Sequence, residues 1–326
     1  MLFDEFSPED HLSRVFECLR SYTHSLIPNL DVTLHFSDSD DLRIQSKLVE
    51  DHPIYPKFFI IISRRLVNLI NRCFFCFAKA APIIMGVKVA NPTPIEIYEP
   101  YFDFDSLELH LSRLPDDSVI HEDRIEIYLS CLGTAWDWLL LHEFAHITKG
   151  HLLFIGRTKE LFDSDPSFAR AMEHEADEYA ANGVMGRKVL NFPSILIGTA
   201  ESQKVIDYPH DFAALIVSTL YFVIRAQPCT LKNPKGYLPP EIRHVLAVCM
   251  LMSQRKWADA DASNESFLRA LTAATDIARL LTQLPELSTP SIVGEIPLKE
   301  YVTQFSIMME KRRLLQHHWL SLGLGS

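Results

Sequence analysis

The stretch LLLHEFAHITKGH, residues 139–151, places two histidines four residues apart, with a glutamate directly after the first. Residues four apart on an α-helix lie one turn above each other, so the imidazoles of His142 and His146 can reach a single metal ion. Glu143 projects from the same helix beside them. Two ligands do not hold zinc firmly, because a catalytic zinc site takes three protein ligands and keeps an open position for water. The sequence therefore predicts a third ligand from another segment.

An acid-rich segment, AMEHEADEYAA at residues 171–181, follows downstream in a second helical pattern. The candidates for the third ligand are its acidic residues, Glu173, Glu175, Asp177 and Glu178. The alanines of the segment form a small-residue face suited to close packing against another helix. The alternative interpretation is a solvated acidic face, which these alanines do not favour.

HEFAH together with EHEAD resembles the HExxH plus ExxxD pattern of the gluzincin metallopeptidases. The resemblance implies that His142, His146 and Glu173 are the ligands of a Zn²⁺ cofactor. It also implies that Glu143 is the general base and that Asp177 orients His142 by a hydrogen bond. The expected activity is hydrolysis of a peptide bond in a protein or peptide substrate.

The Gly-His pair that follows HEFAH, with the EAD segment, resembles three branches of these peptidases: the CAAX-prenyl-protease and HtpX-like group, the ImmA/IrrE regulators and the Lit-type phage-exclusion peptidases. The Lit-type branch fits best, since the sequence predicts neither spanning helices nor a helix-turn-helix. The resemblance covers residues 136–243 and departs from the pattern at Leu238, where relatives carry the histidine of a His-Pro-Pro segment. It implies a role in bacterial or phage conflict, with a translation factor as one example of a substrate.

Peptide hydrolysis also needs a donor for the tetrahedral oxyanion, and histidine, tyrosine and arginine are the usual side chains. The sequence offers five candidates for this role or for lining the cleft: His151, Tyr179, His210, Arg243 and His244. The alternative for each is an ordinary surface or core position, and His151 can simply cap the end of the motif helix.

The composition of the 326-residue chain limits its partners. A hydrophobic content of 48% supports a substantial core, and a formal charge of −11 repels nucleic-acid phosphates and anionic lipids. We therefore expect a protein or peptide partner and no nucleic acid. The acidic start MLFDEFSPED is not typical of a secretory signal, so the expected location is the cytoplasm. Two apolar runs, at residues 58–62 and 212–224, are too short to span a membrane and are predicted as core helices.

The pattern of elements predicts an α+β, zincin-like fold that is mainly helical, with a small mixed sheet before the active-site helix. Ser7 caps a first helix that ends near Leu26, and a second helix is predicted from Phe58 to Ala80. Alternating runs between Pro82 and Ser130, namely IEIYE, LELHLS and RIEIYLS, predict the strands. RIEIYLS or LELHLS should supply the sheet edge along which an extended substrate binds.

The active-site helix is then predicted to start at a Thr134 cap and to end at Gly150. We expect three regions that together form one compact body: a helical region at residues 1–81, a catalytic core at 82–270 and a second helical region at 271–326. The basic run EKRRLLQHHW near the C-terminus is predicted as a solvated face.

Two other functions stay open at this stage. One is a regulatory binding module of the ImmA-like kind, in which the zincin fold docks a protein partner. The other is a structural zinc protein without turnover. Glu143 favours catalysis over both, because a structural site has no need of a base beside its ligands.

Overall fold

The computed structural model describes the first half of the chain most fully and adds short pieces near the C-terminus. The described residues are 7–41, 43–52, 56–80, 83–84, 87–88, 122–158, 165–191, 196–197, 204–205, 306–307 and 309–315. All structural statements below refer to these residues.

The first helix, α1, runs from Pro8 to Leu26, as the sequence predicts. The Ser7 side chain accepts a hydrogen bond from the Asp10 backbone N–H at 3.2 Å, which satisfies one of the free donors of the first turn. The helix buries an apolar stripe that includes Leu12, Phe16 and Leu19.

A three-stranded mixed sheet follows, made of β1 (Asp31–Ser37), β2 (Ile44–Glu50) and β3 (Lys57–Ser63). The strand order is β1-β3-β2; β1 pairs with β3 in parallel and β2 pairs with β3 antiparallel. The central strand is β3, and β2 lies at one edge of the described sheet.

The predicted helix from Phe58 to Ala80 is wrong in its first part, because residues up to Ser63 form β3 and the helix α2 runs from Arg64 to Ala80. A short apolar run is equally typical of a buried strand and of a helical segment. The three consecutive isoleucines at 60–62 favour a central strand, because β-branched residues are enriched in strands. Ser63 closes the strand and opens the helix, since its hydroxyl oxygen accepts from the Leu66 N–H at 3.2 Å. The apolar run at 58–62 is therefore strand, and the run at 212–224 lies outside the described residues.

The motif helix, α3, runs from Glu122 to Thr148, so RIEIYLS is helical and its prediction as a strand is wrong. Thr134 does not cap this helix but lies fully buried in its interior. Every residue from 131 to 147 is buried, and a helix buried on all sides shows no polar face that would reveal its period. The predicted end is close to the observed one, because Gly150 follows the last turn with a φ of 73°. IEIYE and LELHLS lie outside the described residues.

Two further helices complete the surroundings of α3: α4 (His151–Arg157) and α5 (Pro166–Asn191). α5 packs along α3, and α3 also contacts α1, α2, α4 and β2. The contact with α5 is close, since a side-chain carbon built on Gly183 would lie 2.7 Å from a methyl carbon of Leu141. The buried alanines predicted for this face include Ala176 and Ala180, both fully buried.

The remaining described strands are two-residue pairs, β4 (Ile83–Ile84) with β5 (Val87–Lys88) and β6 (Leu196–Ile197) with β7 (Lys204–Val205). The described part of the chain is thus mainly helical with a small mixed sheet, as predicted. That sheet lies at residues 31–63, within the segment 1–81 that was expected to be helical. Among the described helices, none combines the length and the apolar character needed to cross a bilayer.

In a helical segment at 309–315, Lys311 and Arg312 form ion pairs with acidic residues just before α5 and within it, whereas Arg313 is exposed. Lys311 Nζ lies 2.7 Å from the Asp165 carboxylate, and Arg312 Nη2 lies 2.5 Å from that of Glu178. The predicted solvated face is therefore wrong for these two residues. His317 and His318 of the same run lie outside the described residues.

Candidate metal centre

Helices α3 and α5 bring two histidines and one carboxylate together in the protein interior. The Nε2 atoms of His142 and His146 are 3.2 Å apart. Glu173 reaches both from α5, with one oxygen 3.1 Å from Nε2 of His142 and the other 3.4 Å from Nε2 of His146. Within the described residues, His142, His146 and Glu173 are the one set of side chains whose donor atoms are close enough to bind a common metal ion. We refer to these three residues as the metal group.

The dimensions of this group match those of a metal centre. At a metal–ligand distance of about 2.05 Å, two ligands of a tetrahedral zinc site lie about 3.3 Å apart. The separation of the two Nε2 atoms, 3.2 Å, is close to that value, and each Nε2 lies at a similar distance, 3.1 or 3.4 Å, from a different oxygen of Glu173. Two imidazoles and one carboxylate are also the donor types found in catalytic zinc sites. The residues present therefore fit a divalent metal ion.

Asp177 contacts Nδ1 of His142, the ring nitrogen that does not face Glu173. Its carboxylate lies one helical turn beyond Glu173 and accepts a hydrogen bond from Nδ1 of His142 at 2.9 Å. Burial lowers the pKa of His142, but the carboxylates of Asp177 and Glu173 outweigh it and raise that pKa to about 10. Two acidic groups thus stabilise a positive charge here, which also suits a bound cation.

His146 has a different outer partner. Its Nδ1 lies 2.9 Å from Nδ1 of His151, and the two rings meet edge to face, with centroids 4.9 Å apart. Burial lowers the pKa of both His146 and His151 to about 3, so both rings are neutral at ordinary pH. His151 is fully buried, so it does not line an open cleft.

Glu175 lies behind His151 on α5. Its carboxylate oxygen is 3.4 Å from Nε2 of His151, and its other oxygen is 3.9 Å from Nη2 of Arg312. Burial raises the pKa of Glu175, while Arg312 opposes that shift. Arg312 comes from the helical segment at 309–315, which thus reaches the surroundings of the metal group.

Glu143 lies next to the three ligand residues and is only 6% exposed. The hydroxyl and the backbone N–H of Ser46 in β2 stabilise the ionised carboxylate and so act to lower its pKa. Burial raises the pKa of Glu143, and this effect exceeds the opposite influence of His142 and Ser46. The group is therefore a carboxylate that accepts a proton more readily than an exposed glutamate does.

The five sequence candidates for oxyanion binding or cleft lining are not brought to one place by the described structure. Tyr179 hydrogen-bonds Thr148 at the end of α3, and Lys149 lies over its ring. His151 contacts His146 as described above. His210, Arg243 and His244 lie outside the described residues.

Ser46 and Arg312 are the residues near the site that the sequence did not reveal. Ser46 lies in a strand that was not predicted, and no motif surrounds it. Arg312 belongs to a basic run whose spacing carries no information about α5. Glu175 was a candidate ligand, but the structure places it against His151 instead of the metal group.

Comparison with known proteins identifies no relative: no family model, no curated protein and no solved structure matches this chain.

Proposed function

We propose that this protein is a zinc-dependent endopeptidase of the gluzincin type. The observation that carries the proposal is the triangle of His142, His146 and Glu173, with the buried carboxylate of Glu143 at its side. A bound zinc ion would lower the pKa of a water molecule and polarise the scissile carbonyl. Asp177 would fix the ring of His142 so that its Nε2 points at the ion.

Glu143 would serve as the general base and then as the general acid. A base must lose its charge when it takes the proton from water, and burial favours that neutral form. The hydroxyl and the backbone N–H of Ser46 would orient the ionised carboxylate before the proton is transferred to it. The same carboxyl group would deliver the proton to the leaving amine. A structural zinc site would need no such group.

The substrate would bind in extended form along β2. The backbone N–H of Ser46 points at Glu143 and hence away from β3, so the outer edge of β2 faces the proposed base. β2 also contacts α3 and α4, so this strand lies beside the motif helix. An extended peptide can add to such an edge by main-chain hydrogen bonds. In this proposal β2 takes the place that RIEIYLS or LELHLS was expected to fill.

The biological setting that we propose is bacterial or phage conflict, with a host protein as the substrate. Its support is the resemblance of HEFAH and EHEAD to the Lit-type peptidases. The alternative of a binding module without turnover makes a different prediction for Glu143, because docking a partner requires no base.

The test compares the wild-type protein with Glu143→Gln, which keeps shape and hydrogen bonding but cannot take up a proton as a carboxylate does. Both are loaded with zinc and incubated with a peptide library made from a bacterial proteome, and mass spectrometry identifies the cleaved bonds. We expect Glu143→Gln to bind zinc and to lose activity by about 10²–10⁴-fold. Glu17→Gln on α1, an exposed position away from β2 and the proposed site, is the matched control and should cleave normally. Equal cleavage by wild type and Glu143→Gln would refute the proposal, and zinc binding without any wild-type cleavage would favour the binding module.

A further inference from the structure

The Nδ1 atoms of the two histidines in the metal group contact different kinds of side chain. His142 contacts a carboxylate directly, Asp177 at 2.9 Å. His146 has no carboxylate in that position; a third histidine, His151, lies there, also at 2.9 Å. His151 in turn lies against the carboxylate of Glu175.

The hydrogen positions follow from the geometry. Nε2 of His146 faces Nε2 of His142 and an oxygen of Glu173, so as a ligand it must present a lone pair there. A neutral imidazole with a lone pair on Nε2 carries its hydrogen on Nδ1. That N–H then donates to Nδ1 of His151, whose own hydrogen lies on Nε2 and is directed at Glu175.

The backbone turn at Gly150 makes this contact possible. In an uninterrupted helix, residues five apart point about 140° away from each other, so His151 would not reach His146. The chain instead leaves α3 after Thr148, and Gly150 adopts a φ of 73°, which side-chain-bearing residues adopt at a cost in strain. α4 starts directly at His151 and returns its ring to the end of α3.

We propose that His151, supported by Glu175, is a positioning residue that holds His146 in the orientation and tautomer needed to bind the metal. The inference rests on the proposed zinc centre and adds an outer support for its second histidine. Outer partners of this kind contribute about 10–100-fold in metal affinity. Glu175 is itself placed by the ion pair with Arg312, which ties the segment 309–315 to the metal centre.

The experiment measures zinc dissociation constants by competition with a chelator, and the visible spectrum of the cobalt-loaded protein. His151→Phe keeps a ring of similar volume but removes the acceptor, and we expect zinc to bind about 10–100-fold more weakly. His151→Asn places an amide oxygen near the position of Nδ1, so it should recover most of the affinity and the wild-type cobalt spectrum. Leu153→Ala disturbs the packing of α4 without touching the hydrogen bonds and should leave both readouts unchanged.

Unchanged affinity and an unchanged cobalt spectrum in His151→Phe would overturn the inference. Failure of His151→Asn to restore the affinity would also overturn it, because the effect would then be one of packing. Complete loss of zinc in His151→Phe would make His151 a ligand instead of a support. If His151→Phe does not fold, Glu175→Leu decides: weakening of about two- to tenfold supports the inference and no change refutes it. Absence of zinc from the wild-type protein would refute the proposed function itself, whereas zinc binding indifferent to His151 would refute this inference alone.

Discussion

The sheet side of the molecule and the helices around the metal group are buried in different ways. In α1, α2 and the three strands, the buried residues of the described chain are apolar except for Thr23 and Ser63. In α3, α4 and α5, eight buried residues are histidines or carboxylic acids: Asp137, His142, Glu143, His146, His151, His174, Glu175 and Asp177. Within the described part of the chain, buried histidines and carboxylic acids are therefore found only in the helices that form the proposed site.

This difference indicates how stability and function are divided. Burying apolar surface stabilises the fold, whereas a buried ionisable group destabilises it unless it is paired or binds a metal. Substitutions on the sheet side should therefore reduce the stability of the metal-free protein. Substitutions of the ionisable groups that contact His142 or His146 should reduce metal affinity, because outer partners of metal ligands orient those ligands.

The largest effect is expected for Phe58→Ala in the central strand, where the ring is 1% exposed. Loss of a buried phenylalanine typically costs about 3–5 kcal/mol in unfolding free energy. Urea denaturation of the metal-free protein measures this change, and zinc affinity of the folded fraction should stay normal. Tyr22→Ala, at a position 60% exposed, is the control and should change stability little. A similar small loss for both would contradict the proposed division.

The next effect is expected for Asp177→Asn, which keeps an acceptor for Nδ1 of His142 but removes the charge. Zinc affinity should fall by about 10–100-fold, because the carboxylate both orients the ring and raises its basicity. Chelator competition measures this change. Asp165→Asn, directly before the same helix, removes a partly exposed carboxylate that does not contact the histidines and is the control. If the two variants bound zinc equally well, Asp177 would not act as the orienting residue.

A smaller effect is expected for Ser63→Ala, at the junction of β3 and α2. The hydroxyl caps the helix through the Leu66 N–H, and loss of such a cap costs about 1 kcal/mol. Thermal or urea unfolding should show the loss, while zinc binding remains unchanged. Ser25→Ala removes an exposed hydroxyl near the end of α1 and should have no measurable effect on stability.

The site was easier to predict from the sequence than the fold around it. The spacing of His142 and His146 fixes their common helical face, and the resemblance to gluzincins pointed to Glu173 and Asp177 on the second helix. The common face of two residues four apart depends on local helical geometry and can be read from spacing, whereas the meeting of the two helices was implied only by the resemblance. The contact of His151 with His146 could not be read in this way, because it depends on the turn at Gly150.

The sheet was misplaced for a different reason. Strand pairing joins residues far apart in sequence, and the run FFIII gives the same apolar signal for a buried strand as for a helix. RIEIYLS alternates like a strand, yet it lies in a helix that is packed on several sides by α1, α2, α5 and β2. Tertiary burial therefore overrode the local pattern in both segments.

The central claim is that His142, His146 and Glu173 together bind zinc. The most direct measurement is the metal content of the purified protein and of two variants on α5, Glu173→Ala and Glu178→Ala, determined by mass spectrometry after dialysis. Glu178 lies on the same helix but pairs with Arg312 instead of the histidines. We expect about one zinc ion per chain in the wild-type protein and in Glu178→Ala, and almost none in Glu173→Ala. Iron in place of zinc, a wild-type protein without metal, or full retention of zinc by Glu173→Ala would contradict the account.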